Sequence, residues 1–176
     1  MKERKFILNF TPTGMIPTKE MTPHVPVLPA EIVDQVTEAA GLGVTMVHLH
    51  ARDVDAGKST YKKDIYREIV SEIKRTHPDL ILCLSTSGRD FSEFEKRADC
   101  LDLDGEMKPE FGSLTLSSLN FNKQASVNSP EMIQALARRM QERQIRPELE
   151  AFDLGMINYA KYLIKKNWSR PPTTST

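Results

Sequence analysis

The chain has 176 residues, 24 Lys+Arg balanced by 24 Asp+Glu, and a mean hydropathy of −0.42. That length suits one ordinary domain, and the neutral balance lacks the basic excess of a typical nucleic-acid binder. No apolar run approaches the roughly 20 residues needed to span a bilayer, the charged start Met1–Lys5 leads into no signal-peptide stretch, and Cys83 and Cys100 make no disulfide framework, so a cytoplasmic protein is expected.

Apolar runs with strand character recur along the chain: 6–10, 44–50, 80–85, 113–117 and 148–152. Their centres lie roughly 33–39 residues apart, the size of a βα unit. Segments with helical spacing separate them. Ile32, Val33, Val36, Ala39 and Ala40 form a stripe after Pro29, and Ile65, Ile69 and Ile73 form another before His77 and Pro78. Arg89 to Arg97 reads as a shorter, more polar helix. Ser129 and Pro130 make an N-cap and first-turn pair ahead of Ile133, Leu136, Ala137 and Met140. Met156, Tyr159, Ala160, Leu163 and Ile164 form the last stripe. From Asn167 the pattern stops, so residues 167–176 are expected as a disordered tail after a single unit over 1–166. Strands alternating with helices imply an α/β fold with a parallel sheet. Two architectures fit: an open doubly wound sheet of five strands, or the first five units of a (β/α)8 TIM barrel.

His48 and His50 are the sharpest chemical feature. Residues i and i+2 of a strand point to the same side, so both imidazoles leave the sheet together. Converging imidazoles suit a divalent metal, Zn²⁺ first. They lie at the carboxyl end of their strand, where α/β sheets and barrels carry their active sites. The turn Ser85-Thr86-Ser87-Gly88-Arg89 closes the next strand at the same end. Its hydroxyls, its glycine and an arginine fork suit an anion. It is not a P-loop, and no GxGxxG follows the first strand. Thr115, Ser117, Ser118 and Asn120 end the fourth strand. Glu148 and Glu150 share a face of the fifth, and Glu150, nearer the carboxyl end, is the better candidate for polar work at a site. His24 reads as a loop residue, His77 as a helix-end residue, and Cys83 as core.

Thr13-Gly14 with Pro23–Pro26, Val47–Arg52, Ser85–Arg89, and Ser118–Phe121 with Pro147–Glu150 together resemble the β-keto acid cleavage enzyme family, whose founding activity is 3-keto-5-aminohexanoate cleavage. The resemblance implies a (β/α)8 barrel holding a divalent metal, usually zinc. The implied reaction is between a β-keto acid and acetyl-CoA, giving acetoacetate and the CoA ester of the shortened acid. It implies His48 and His50 as metal ligands and Ser85, Thr86, Ser87 and Gly88 as a cradle for the keto acid's carboxylate. Thr115, Asn120 and Glu150 are implied as polar residues of the pocket, with Glu150 catalytic. Ile16 stands where the founding activity has a glutamate that meets the substrate's amino group, which argues against an aminated keto acid.

The family's third metal ligand, a glutamate, and its acid/base aspartate are expected on strands beyond the fifth. The resemblance thus covers about three-fifths of a family member, and the chain is expected to be an N-terminal fragment. It is expected to form the homo-oligomer of the full-length family or to associate through the unclosed barrel edge. Two alternatives remain: a non-catalytic five-stranded α/β module that binds a small anion, and a different metallohydrolase drawing a third ligand from Glu150, Asp153 or His24.

Overall fold

The computed structural model describes residues 6–53 and 55–168. In chain order the first half comprises β1 (Asn9–Phe10), α1 (Pro29–Gly41), β2 (Met46–Leu49), β3 (Ala51–Arg52), β4 (Ser59–Thr60), α2 (Lys63–Thr76) and β5 (Ile81–Leu84). The second half comprises α3 (Phe94–Ala98), β6 (Phe111–Thr115), β7 (Leu119–Asn120), β8 (Ala125–Ser126), α4 (Pro130–Glu142), β9 (Arg146–Glu150) and α5 (Leu154–Lys165).

Five strands form one sheet in the order β1-β2-β5-β6-β9, and every pairing within it is parallel. Each strand is laid beside its predecessor without a reversal. A doubly wound sheet reverses its order at a switch point, whereas a barrel adds strands steadily in one direction. The fold is therefore of the TIM-barrel type. The short antiparallel pairs β3–β4 and β7–β8 are inserted at the carboxyl ends of β2 and β6. Neither was expected from the sequence, since two-residue ladders leave no period to read.

The two faces of the sheet differ sharply. Val47, Leu49, Leu82, Leu84 and Leu114 point toward the helices and pack with Ile32, Val36, Ile69, Leu136 and Met140. Burying each such side chain contributes roughly 1.5–3 kcal/mol. The other face carries Asn9, His48, Cys83, Ser113, Thr115, Glu148 and Glu150, set by the registers His48↔Cys83, Ser113↔Glu148 and Thr115↔Glu150. Cys83, expected in the core, is buried on this polar face.

That face is concave. Asn9 Nδ2 on the first strand donates to Glu148 Oε1 on the last at 2.8 Å. Four strand spacings in a flat sheet would hold those strands about 19 Å apart. The sheet is curled as in a barrel wall.

Local chemistry sets the helix starts. The Ser129 hydroxyl caps α4 by accepting from Met132 N at 3.2 Å, and Asp153 caps α5 by accepting from Met156 N at 2.8 Å. At α1, Glu31 Oε2 accepts from Val27 N and Leu28 N. The Lys19 ammonium, with these backbone bonds, holds the Glu31 carboxyl down at about 2. The first strand is shorter than the expected 6–10, because Phe6, Ile7 and Leu8 are exposed and only Asn9 and Phe10 pair with β2. The polar helix expected from Arg89 begins only at Phe94. Asn167 and Trp168, expected in the tail, close α5: Trp168 N donates to Leu163 O at 3.0 Å, and its ring packs on Tyr162 and Arg138. Residues 169–176 lie outside the described residues. No helix among the described residues is long and apolar enough to cross a membrane.

Candidate active site

A cleft of about 230 Å³ opens over the concave face at the carboxyl ends of the strands. His50, Ser85, Ser87, Arg89, Thr115 and Glu150 line it, with Gly14 and Met15 at one side and Phe121 at another. The loops after five different strands therefore converge here, each carrying what its strand end delivers.

His48 and His50 lie side by side as their spacing requires, with ring centroids 5.0 Å apart and planes tilted by 32°. Burial, reinforced by the neighbouring His48 and by Arg52 and Arg89, lowers the His50 pKa to about 3. His50 is therefore neutral at physiological pH, with a lone pair ready for a cation and no hydrogen-bond partner among the described residues. His48 is held from behind, its Nδ1 lying 2.6 Å from Glu148 Oε2. Burial works to raise the Glu148 pKa, but the bonds from His48, Cys83 and Asn9 outweigh it and hold the carboxyl below its ordinary value. An ionised carboxylate only accepts, so Nδ1 carries the proton and Nε2 is the nitrogen left to bind a metal.

His48, Cys83 and Glu148 bring one possible ligand atom each within 4.8 Å of one another, so this cluster could also surround a cation. Cys83 weighs against that geometry. Burial and the adjoining Glu148 push its thiol well above the ordinary value, and Sγ donates to Glu148 Oε2 at 3.2 Å. A thiol kept protonated is a poor metal ligand. The donor chemistry fits better with His48 and His50 facing the cation and Glu148 orienting His48 from the second layer.

The turn after β5 divides its labour. Ser85 and Ser87 face the cleft. Thr86 does not: its Oγ1 donates to Ser113 O at 2.6 Å and its N donates to Ser113 Oγ at 3.0 Å, tying β5 to β6. Gly88 has no room for a side chain, but the group crowding it is Arg97 rather than an open subsite. A Cβ there would sit 2.5 Å from Arg97 Nη1 and 2.6 Å from Val127 O. Arg97 is 3% exposed and donates to Thr86 O, Val127 O and Asn128 Oδ1 at 2.9, 3.2 and 2.7 Å. It locks the turn to the loop before α4. Arg52 works similarly on the other side, since its guanidinium, 1% exposed, donates to Gly57 O, Gly14 O and Pro17 O and so fastens the Thr13–Pro17 loop beside His50.

Thr115 Oγ1 donates to Glu150 Oε2, and both residues line the cleft. Asn120 does not join them; it is exposed on the β7–β8 hairpin, which instead delivers Phe121. Asp153 is spent on its helix cap, and His24 is exposed away from the cleft, so neither supplies a third ligand. Ile16 is 45% exposed and Met15 takes the cleft-lining place in that loop. Glu148 ranks below Glu150 in the sequence, and Arg52 and Arg97 are given no role there. Arg52 ends the Val47–Arg52 stretch and Arg97 the expected polar helix, but their partners are mostly backbone carbonyls, which leave no sequence pattern.

Comparison with known proteins agrees with this architecture. The family model described as beta-keto acid cleavage enzyme matches residues 5–176. A 3-oxoadipate:acetyl-CoA acetyltransferase of Cupriavidus necator is 35% identical over 151 residues, covering 86% of this chain and 51% of that protein. A 3-keto-5-aminohexanoate cleavage enzyme of Acetoanaerobium sticklandii is 34% identical over 169 residues, covering 96% and 60%. A 3-dehydrocarnitine:acetyl-CoA trimethylamine transferase of Rhizobium meliloti is 30% identical, covering 96% and 62%. The chain thus spans between half and two thirds of the length of these relatives. Among solved structures, the ternary complex of ObcA with a C4-CoA adduct and oxalate superposes with a TM-score of 0.75 at 25% identity, covering 83% of this chain and 35% of that one.

Proposed function

The chain belongs to the β-keto acid cleavage enzyme family, and on that premise we propose that its cleft serves a metal-dependent reaction between a β-keto acid and acetyl-CoA, yielding acetoacetate and the CoA ester of the shortened acid. The observation that carries the proposal is the pairing of His50, neutral and unpartnered, with His48, whose Nε2 is freed by Glu148, at the mouth of a polar cleft. The two imidazoles would hold the cation, zinc in preference. Bound there, it would supply Lewis-acid polarisation of the keto oxygen.

The remaining work falls to side chains and backbone. The Ser85 and Ser87 hydroxyls donate to the keto acid's carboxylate. The turn that carries them is kept rigid by Thr86 and Arg97, so their geometry is set before substrate arrives. Glu150, its Oε2 held by Thr115, is the catalytic carboxylate this chain offers to the cleft. The Arg52-anchored loop, with Gly14 and Met15, covers His50 and limits water.

Zinc titration against a chromophoric chelator tests the metal assignment. Stoichiometric binding is expected, lost in His48→Ala and in His50→Ala with the fold retained by circular dichroism. Undiminished zinc binding in the double variant would sink it. A folded chain that binds small carboxylates but no zinc would favour the non-catalytic anion-binding module.

A further inference from the structure

Arg89 is placed as no structural arginine needs to be. Its backbone is fixed on both sides, N donating to Ser87 Oγ at 3.3 Å and O accepting from Gln124 Nε2 at 2.8 Å. Its guanidinium carbon lies 3.6 Å from the Phe121 ring centroid, within the cleft. Its Nε is buried without a partner, and it forms no ion pair among the described residues. The adjoining acid, Asp90, is turned away to Ser59 and Gln124. Glu150 faces the same cleft but is bonded to Thr115.

These features together describe an anion receptor waiting for its ligand. A guanidinium stacked on an aromatic face keeps its in-plane N–H groups free for bidentate contact with a carboxylate. A partly buried charge with no counterion is costly, and an arriving anion relieves that cost. Ser85 and Ser87 add hydroxyls to the same cleft, and these are the groups assigned above to the keto acid's first carboxylate. The loop on the far side contributes Gly14 and Met15, neither of them acidic, so nothing there invites an amine.

We propose that Arg89, stacked on Phe121, is a specificity-determining residue that binds a second carboxylate, so that the preferred substrate is a β-keto dicarboxylic acid. This rests on the proposal that the cleft takes a β-keto acid. It commits the second anion to the keto acid itself rather than to the phosphates of CoA.

Calorimetric titration of the full chain with 3-oxoglutarate and with 3-oxopentanoate, equal in length and differing in the second carboxylate, tests it. The dicarboxylate is expected to bind about 10–100-fold more tightly. Arg89→Met should abolish that preference while leaving CoA affinity unchanged. Arg89→Lys should restore it in part, and Phe121→Leu should weaken it without removing the charge. Equal binding of the two acids by the folded chain, no binding of either, or a preference that survives Arg89→Met would overturn the proposal. So would a loss confined to CoA affinity. Zinc retention is read in the same samples. A dicarboxylate preference without zinc binding would refute the metal reading alone, and zinc binding without the preference would refute this inference alone.

Discussion

Glu148 touches side chains from three other strands: Asn9, His48 and Cys83. Its role is to fix the tautomer and tilt of His48, and such second-layer carboxylates typically change metal affinity 10–100-fold. Glu148→Gln is therefore expected to weaken zinc about 10–100-fold in a competition titration while the far-ultraviolet spectrum stays unchanged. Zinc affinity equal to that of the unsubstituted chain would show that His48 needs no such support. The histidine pair was legible in the sequence because a period of two alone puts His48 and His50 on one side. The ranking of Glu150 over Glu148 was not, because it depended on height along the strand, whereas the contact to His48 depends on the curl of the whole sheet. The placement of Thr86 and Asn120 was not legible for a related reason. Their residue types suit a pocket, but one side chain is spent on Ser113 and the other sits on a hairpin with no readable period.

Between elements, the main ties at the site are the two buried arginines. Arg97 joins the turn after β5 to the loop before α4 through three acceptors, Thr86 O, Val127 O and Asn128 Oδ1. Arg97→Met is expected to cost about 2–4 kcal/mol, because it strands buried acceptors. Urea denaturation measures this against Arg139→Met, whose guanidinium pairs with Asp102 at one-third exposure and should cost no more than about 1 kcal/mol. Similar midpoints for the two variants would contradict the assigned role of Arg97. Helix positions were readable from Pro29, from Ser129 with Pro130, and from the apolar stripes. The start of α3 was not, because its short apolar content gives no stripe to time it.

At the scale of the molecule, counting βα units left the barrel-type order as one of two options, since it cannot tell steady addition from a reversal, and only the family resemblance pointed to the barrel. The observed sheet leaves the outer edges of β1 and β9 unpaired among the described residues. Phe6 and Ile7 are exposed near one edge, and Phe152 and Leu154 near the other. Unpaired edges flanked by apolar side chains favour association. Sedimentation velocity is expected to show concentration-dependent self-association, reduced in a variant carrying Ile7→Lys and Leu154→Lys. A single monomeric species at every concentration would count against this.

The bond from Asn9 to Glu148 spans 139 positions of chain. On the ribosome, at roughly 5–20 residues per second, about 7–28 s separate the synthesis of its two ends. The nascent β1 and β2 therefore present Asn9 and His48 without their carboxylate until β9 has been made. The helix-facing leucines and valines can pack pair by pair as each unit emerges, whereas the polar hub closes only when the fifth strand arrives. The orientation of His48 is thus set only once the fifth strand has been made.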